Sequence, residues 1–426
     1  MSDDRARPAR RGLPATSADH AATDHPATST GHAPSTDHRH LAPHPDDTAP
    51  RRDHDPTGRL DEALERLHAR GPERLGRLTN HAPMAVEALA AHGHAGTVHL
   101  WLDRYAPKLE DFPGTTAPVT DDDWRAALGD PRRAGDWIGY FTRAVAERPW
   151  REVLAQWWPR LLPGIAGGST HPVIRVGHAV RTLLDGEETA PRRTELAHGL
   201  GYWAARHRPL PGALAPAGRL APEEALWALP AIPARRGGMP DRLAQLDDLP
   251  AWSAGTGALR PPAGPEEARR SLTALVAAAV RRYAAQAEAE PVMLVHAATA
   301  PNAVLRTLPA LPRELWVPSL GAAWAASAAV VSAYAPGPGS GGPPAGSPAA
   351  GARTRDGGQK RPGEAGAEGL ADAMAEAFAR AAVHGDEHTI KLTDTALDVA
   401  RMSGDPAALT AAARARELID PLDGAG

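Results

Sequence analysis

The sequence predicts an all-α fold: a single large helical domain with a disordered N-terminal tail and a Gly/Pro-rich insertion. Three observations predict it. Apolar residues recur three and four apart through most of the chain. β-branched runs of strand length are scarce, and PVMLVH at 291–296 is the only tempting one. Prolines fall between the periodic segments, where helix breakers belong.

Residues 1–56 are Pro, Asp, Thr, Ser, His and Arg with almost no large apolar side chain. Such a segment buries too little surface to offset its ordering entropy, so a disordered tail is expected. Its seven histidines (His20, His25, His32, His38, His40, His44, His54) offer at most a loose metal tract. The helical core is expected over 57–335. It opens with Leu60–Ala69 and Ala82–Ala91, then continues through Trp150–Leu162, Ala179–Leu184, Glu195–Ala205, Glu266–Gln286 and Trp316–Tyr334. Residues 336–366 are rich in Gly and Pro and show no periodicity, so they read as a flexible insertion. Residues 367–420 complete the core with Leu370–Val383 and Thr389–Met402.

Composition limits the function. A chain of 426 residues suits one large domain. The net charge of −4 gives no basic footprint for nucleic acid. The absence of cysteine excludes disulfides, iron–sulfur clusters, thiolate zinc sites and a cysteine nucleophile. No apolar run approaches the roughly 20 residues of a membrane helix, and no apolar stretch follows the first charges as in a secretory signal. A cytoplasmic protein without membrane contact is the expectation; oligomeric state is left open. There is no P-loop, no G-x-G-x-x-G and no G-x-S-x-G, so no cofactor-binding residues are assigned. Eleven tryptophans against three phenylalanines is an unusual balance. Trp101, Trp124, Trp137, Trp150, Trp157, Trp158 and Trp203 crowd the first half of the core, for packing and for lining a pocket that takes a flat aromatic molecule.

The core histidines carry the chemistry. His171 and His178 are two helical turns apart and share a face, with Arg175 beside them. Ser169 or Thr170 is the expected N-cap before Pro172. His384, His388 and Lys391 are spaced four and three, an arc of about 60° on one helix. Asp386 and Glu387 point elsewhere, as acceptors for imidazole N–H groups. His81 and His296 sit in apolar segments. Six histidines on several helices suggest a metal site inside a bundle. Lys391 is one of only three lysines. On that face it turns to solvent, is neutral through burial, or has reacted with carbon dioxide to give an anionic carbamate ligand. A two-histidine–one-carboxylate iron site would need an Asp or Glu as a ligand as well.

The stretches LTNHAPMAVEAL, PWREVLAQWWPRLLPGIAGGSTHPVIRVGHAVRTLL, ELAHGLGYWAARHRPLPG and DEHTIKLTDTAL resemble the questin oxidase-like family. The resemblance runs over about 75–212 and returns at about 380–400. It implies an all-helical oxidoreductase that opens a ring of an anthraquinone or related polycyclic aromatic polyketide with dioxygen. It also implies an atypical non-haem Fe2+ centre with a carbamylated lysine. Carried onto this chain, the metal residues are drawn from His81, His171, His178, His296, His384 and His388, with Lys391 as the modified ligand. Arg175 and Asn80 are assigned to substrate oxygens by position. The family is also described as an NADPH-dependent Baeyer–Villiger-type monooxygenase, and a metal-free aromatic-polyketide tailoring or binding protein is a further alternative. Pro172 after the first paired histidine, and the Gly/Pro insertion, depart from the family pattern.

Overall fold

A computed structural model describes residues 57–75, 78–337 and 364–422, with side chains from 368 onward in the last segment. Among these residues the chain is all-α. Its strands are one hairpin, Glu73–Arg74 paired antiparallel with Leu78–Thr79. The tail at 1–56 and most of the 336–366 insertion lie outside the described residues. The helix after the insertion already begins at Glu364.

Periodicity located helices better than it located their starts. The predicted Ala179–Leu184 and Glu195–Ala205 are parts of longer helices, His171–Asp185 and Ala190–Arg206. Each opens with a proline in its first turn, where the missing N–H has no helical partner to lose. The strand-like PVMLVH is the start of another such helix, Pro291–Thr307. Helices at Val98–Tyr105 and Ala134–Glu147 were not anticipated.

Trp316–Tyr334 matches its predicted bounds. With the turn before it, Arg313–Tyr334 is 22 residues long and holds an 18-residue window of mean hydropathy 1.4, long and apolar enough to cross a membrane by length and composition. This corrects the expectation that no such run exists. Within the fold, 72% of its apolar window is buried, as in a core helix.

The tryptophans are packing residues. Trp124, Trp137, Tyr140 and Phe141 meet Trp157 edge-on, with ring centres 5.0 to 5.4 Å apart. Trp158 meets Trp203 in the same way at 5.3 Å.

Four helices position the site. Ala82–Ala91, His171–Asp185, Pro291–Thr307 and Glu387–Ser403 form a closed ring in which each touches the next. Gly177 lets two of them approach: a Cβ there would lie 2.5 Å from the Cβ and 2.6 Å from the Cα of Ala303. All four bring an early turn to one point, because His81 is an N-cap, His171 and His388 lie in first turns and His296 in the second.

Candidate metal centre

His81, His171, His296 and His388 meet where those four helix starts converge. His81 stacks on His171 with ring centres 4.3 Å apart and meets His388 edge-on at 4.6 Å. His171 meets His296 at 4.4 Å, and His296 meets His388 at 5.7 Å. All four are buried. One ring nitrogen each from His81, His171 and His388 lies within 4.8 Å of the others, a spread one ion can bridge.

The outer hydrogen bonds fix two tautomers. His171 Nδ1 is 2.7 Å from the Gly168 carbonyl, and His296 Nδ1 is 3.0 Å from the Met293 carbonyl. A carbonyl only accepts, so each Nδ1 carries the hydrogen and each neutral ring keeps a bare lone pair on Nε2. Those two Nε2 atoms face each other at 2.8 Å. Two lone pairs at that distance repel unless a cation lies against both. A proton is poorly available: burial, with added repulsion from Lys391 and neighbouring imidazoles, holds His171 and His296 well below the usual histidine pKa. Nitrogens in adjacent positions around a metal, at about 2.1 Å each, stand about 3.0 Å apart. The observed spacing fits a metal.

The Gly168 carbonyl is placed by an unusual turn. Gly168, Ser169 and Thr170 all have positive φ, at 54°, 56° and 66°. Two are not glycine, and a left-handed conformation costs an L-residue about 1–2 kcal/mol. Neither Ser169 nor Thr170 caps the helix as expected; Thr170 holds the N-cap position without a side-chain cap bond.

Two more groups lack partners. Both ring nitrogens of His81 and the Lys391 ammonium nitrogen are buried without a hydrogen bond. Of the three readings of Lys391, exposure to solvent is excluded by its 0% exposure. Burial pulls its pKa down to about 8, against the opposing pull of Glu387 and Asp386. Glu387 is buried, with Oε1 at 3.3 Å from His81 Nδ1 and 3.0 Å from Arg74. Orphaned lone pairs, an orphaned amine and imidazoles held neutral are the donor set a divalent metal requires.

The other predicted residues lie elsewhere. His178 shares a face with His171, but seven residues at about 1.5 Å per residue place it about 10 Å along the axis. It bonds Glu87 through Nδ1 at 2.6 Å. There it belongs to a second polar layer two helical turns along. Arg181 joins Glu87 to Asp394, and Arg306 and His92 each reach Asp394 at 2.8 Å. His384 is not on the helix of His388. Gly385, with φ 77°, ends one helix, and the Asp386 side chain caps the next by accepting from His388 and Thr389 backbone N–H groups. His384 Nε2 is bonded to the Ile419 carbonyl at 3.0 Å. Arg175 forms a buried two-point pair with Glu195. Asn80 bonds the Gly71 carbonyl and the Ala82 N–H, so it orders the turn before His81. Asn80 and two of the three guanidinium nitrogens of Arg175 are thus engaged within the protein.

A cleft of about 600 Å³ reaches this centre at His171. Its walls include Tyr202, Tyr334, Met293 and the Gly168–Ser169 turn, and no tryptophan lines it. The volume is that of a small-molecule site. Sequence reasoning missed this cleft and the contact of Arg74 with Glu387; the Gly385-Asp386 pair was a readable sign of the helix break.

Residues 78–216 match the family model described as questin oxidase-like. Over that span the chain is similar to this family. A comparison with curated proteins finds no match. The matched region contains His81 and His171, while His296, His388 and Lys391 come from the chain beyond it. The fold therefore brings both parts of the chain to one centre.

Proposed function

We propose that the protein is a non-haem iron oxygenase that cleaves a ring of an anthraquinone or related polycyclic aromatic polyketide. The observation that carries this reading is the pair of bare Nε2 atoms of His171 and His296 at 2.8 Å, inside a four-histidine cluster. The family match supports the oxidase class, and the cleft supports a flat substrate of moderate size.

His81, His171, His296 and His388 would hold the metal. Lys391 would add an anionic oxygen as its carbamate, formed when the neutral amine adds to carbon dioxide and loses a proton. A pKa drawn down to about 8 raises the share of neutral amine that this addition needs. Glu387 is a poorer anionic ligand because its carboxylate is already paired with Arg74. Bound iron supplies the one-electron chemistry by which dioxygen reacts with an aromatic ring.

The protein's own groups do the rest. The converging helix starts set a positive potential that favours an anionic ligand and an ionised phenol at the centre. Tyr202 and Tyr334 give the cleft aromatic walls. The Gly168 turn locks the ring of His171 at the point where the cleft meets the centre.

The test is dioxygen consumption by iron-loaded protein with a hydroxyanthraquinone, with the product analysed by mass spectrometry. Uptake that depends on both iron and the quinone, with a ring-opened product, is the expected result. Turnover that survives complete chelation would overturn the iron reading.

A further inference from the structure

The four histidines are not held alike. His171 and His296 are oriented by backbone carbonyls within three residues of themselves. His388 has its own helix cap, Asp386, with Oδ2 at 3.7 Å from Nδ1. His81 has no such local partner. It sits at the start of its helix, and neither ring nitrogen is hydrogen-bonded. The polar side chain beside its Nδ1 is Glu387, at 3.3 Å but out of line for a hydrogen bond.

Glu387 is itself held from outside. It is 3% exposed, occupies the first turn of its helix directly before His388, and is paired with Arg74 at 3.0 Å. Arg74 lies on the Glu73–Thr79 hairpin. Leu78 and Thr79 of the same hairpin line the cleft, and Thr79 Oγ1 is 2.8 Å from the hydroxyl of Tyr202, another wall residue.

We infer that Glu387, clamped by Arg74, is the positioning residue that selects the metal-binding nitrogen of His81. An ionised carboxylate accepts but cannot donate, so beside Glu387 the hydrogen of His81 belongs on Nδ1. The lone pair is then left on Nε2, as in His171 and His296. All three rings present the same nitrogen to the centre. A carboxylate behind a metal-bound imidazole both fixes the ring and raises its basicity. Arg74 draws the buried carboxylate to itself at 3.0 Å, so that it acts through His81, although its oxygen also lies within 4.8 Å of ligand atoms on Asp386 and His388. The same clamp ties the cleft wall to one metal ligand.

This inference rests on the metal-binding reading, and the experiment separates the two. Iron(II) and zinc(II) affinities are measured by competition with a chromophoric chelator, and the melting temperature is recorded without metal. The variants are R74M/E387M, E387Q and H388A. R74M/E387M removes the acceptor and its partner together, so no unpaired Arg74 is left behind. It should bind both metals about 10- to 100-fold more weakly. E387Q keeps an accepting oxygen and should recover most of that loss, with a metal-free melting temperature lowered by the unpaired Arg74. Wild-type affinity in R74M/E387M would overturn the inference alone. So would E387Q binding as weakly as H388A, which would make Glu387 a ligand. A wild-type protein that binds neither metal would overturn the metal reading, and this inference with it.

Discussion

Replacing His296 with leucine should stabilise the metal-free protein while abolishing its response to metal. In the metal-free centre the Nε2 atoms of His171 and His296 face each other at 2.8 Å. Both hydrogens are committed to carbonyls at the far side of the rings. Both residues are buried, His296 almost completely, so water compensates little. A buried polar atom without a partner costs about 1–3 kcal/mol. His296→Leu removes one side of this repulsion at similar volume, so the metal-free variant should gain about 1–3 kcal/mol. The same change removes a ligand. Wild-type protein at a metal concentration 1,000 times the Kd gains about 4 kcal/mol from binding, and the variant should lose that increment. Urea denaturation of stripped and loaded samples gives both numbers. A stripped variant less stable than stripped wild type, with the metal increment intact, would refute the reasoning.

Gly177→Ala should separate the two helices that carry His171 and His296, because the new Cβ would meet the Cβ and Cα of Ala303 at 2.5 and 2.6 Å. Overpacking of this kind costs about 1–3 kcal/mol; denaturation should show that loss together with weaker metal retention. Asp394→Asn leaves Arg181 and Arg306 without their shared buried carboxylate and should cost about 3–5 kcal/mol in the same assay. Burial by itself would raise the pKa of Glu87 and Glu195, but Arg181 and Arg175 outweigh it and hold each at about 2. These carboxylates stabilise the fold above their unfolded pKa near 4.5. That stability, about 3 kcal/mol each, is lost as pH falls from there toward 2. Glu195→Gln should flatten this acid limb of a stability–pH curve.

Much of the fold was legible because helical periodicity is a local property. Trp316–Tyr334 was read to the residue, and the ring helices carrying His81 and Lys391 were located. The failures have physical causes. PVMLVH looks like a strand because its apolar run is unbroken, although in the helix Val292 is exposed and burial begins at Leu294; only Pro291 at the first position marks the helix start. At the site, residue type identified the candidates, and long-range packing sorted them. His171 and His178 share a helix face, yet an ion contacts only one level of a bundle. His384 and His388 have helical spacing, yet Gly385 and Asp386 divide the helix between them. Arg175 and Asn80 lie near the centre in sequence and in space, but Glu195 and Gly71 occupy them. The role of Glu387 was partly visible as an acceptor for an imidazole; that the imidazole is His81, hundreds of residues away, was not.

The most direct test is the metal content of the aerobically purified protein, made without an added histidine tag and measured by elemental mass spectrometry beside His171→Ala and His296→Leu. About one iron per wild-type chain, lost in both variants, is the predicted result. Wild-type protein without metal even after anaerobic iron loading, or iron that persists in both variants, would contradict a metal centre at these four histidines.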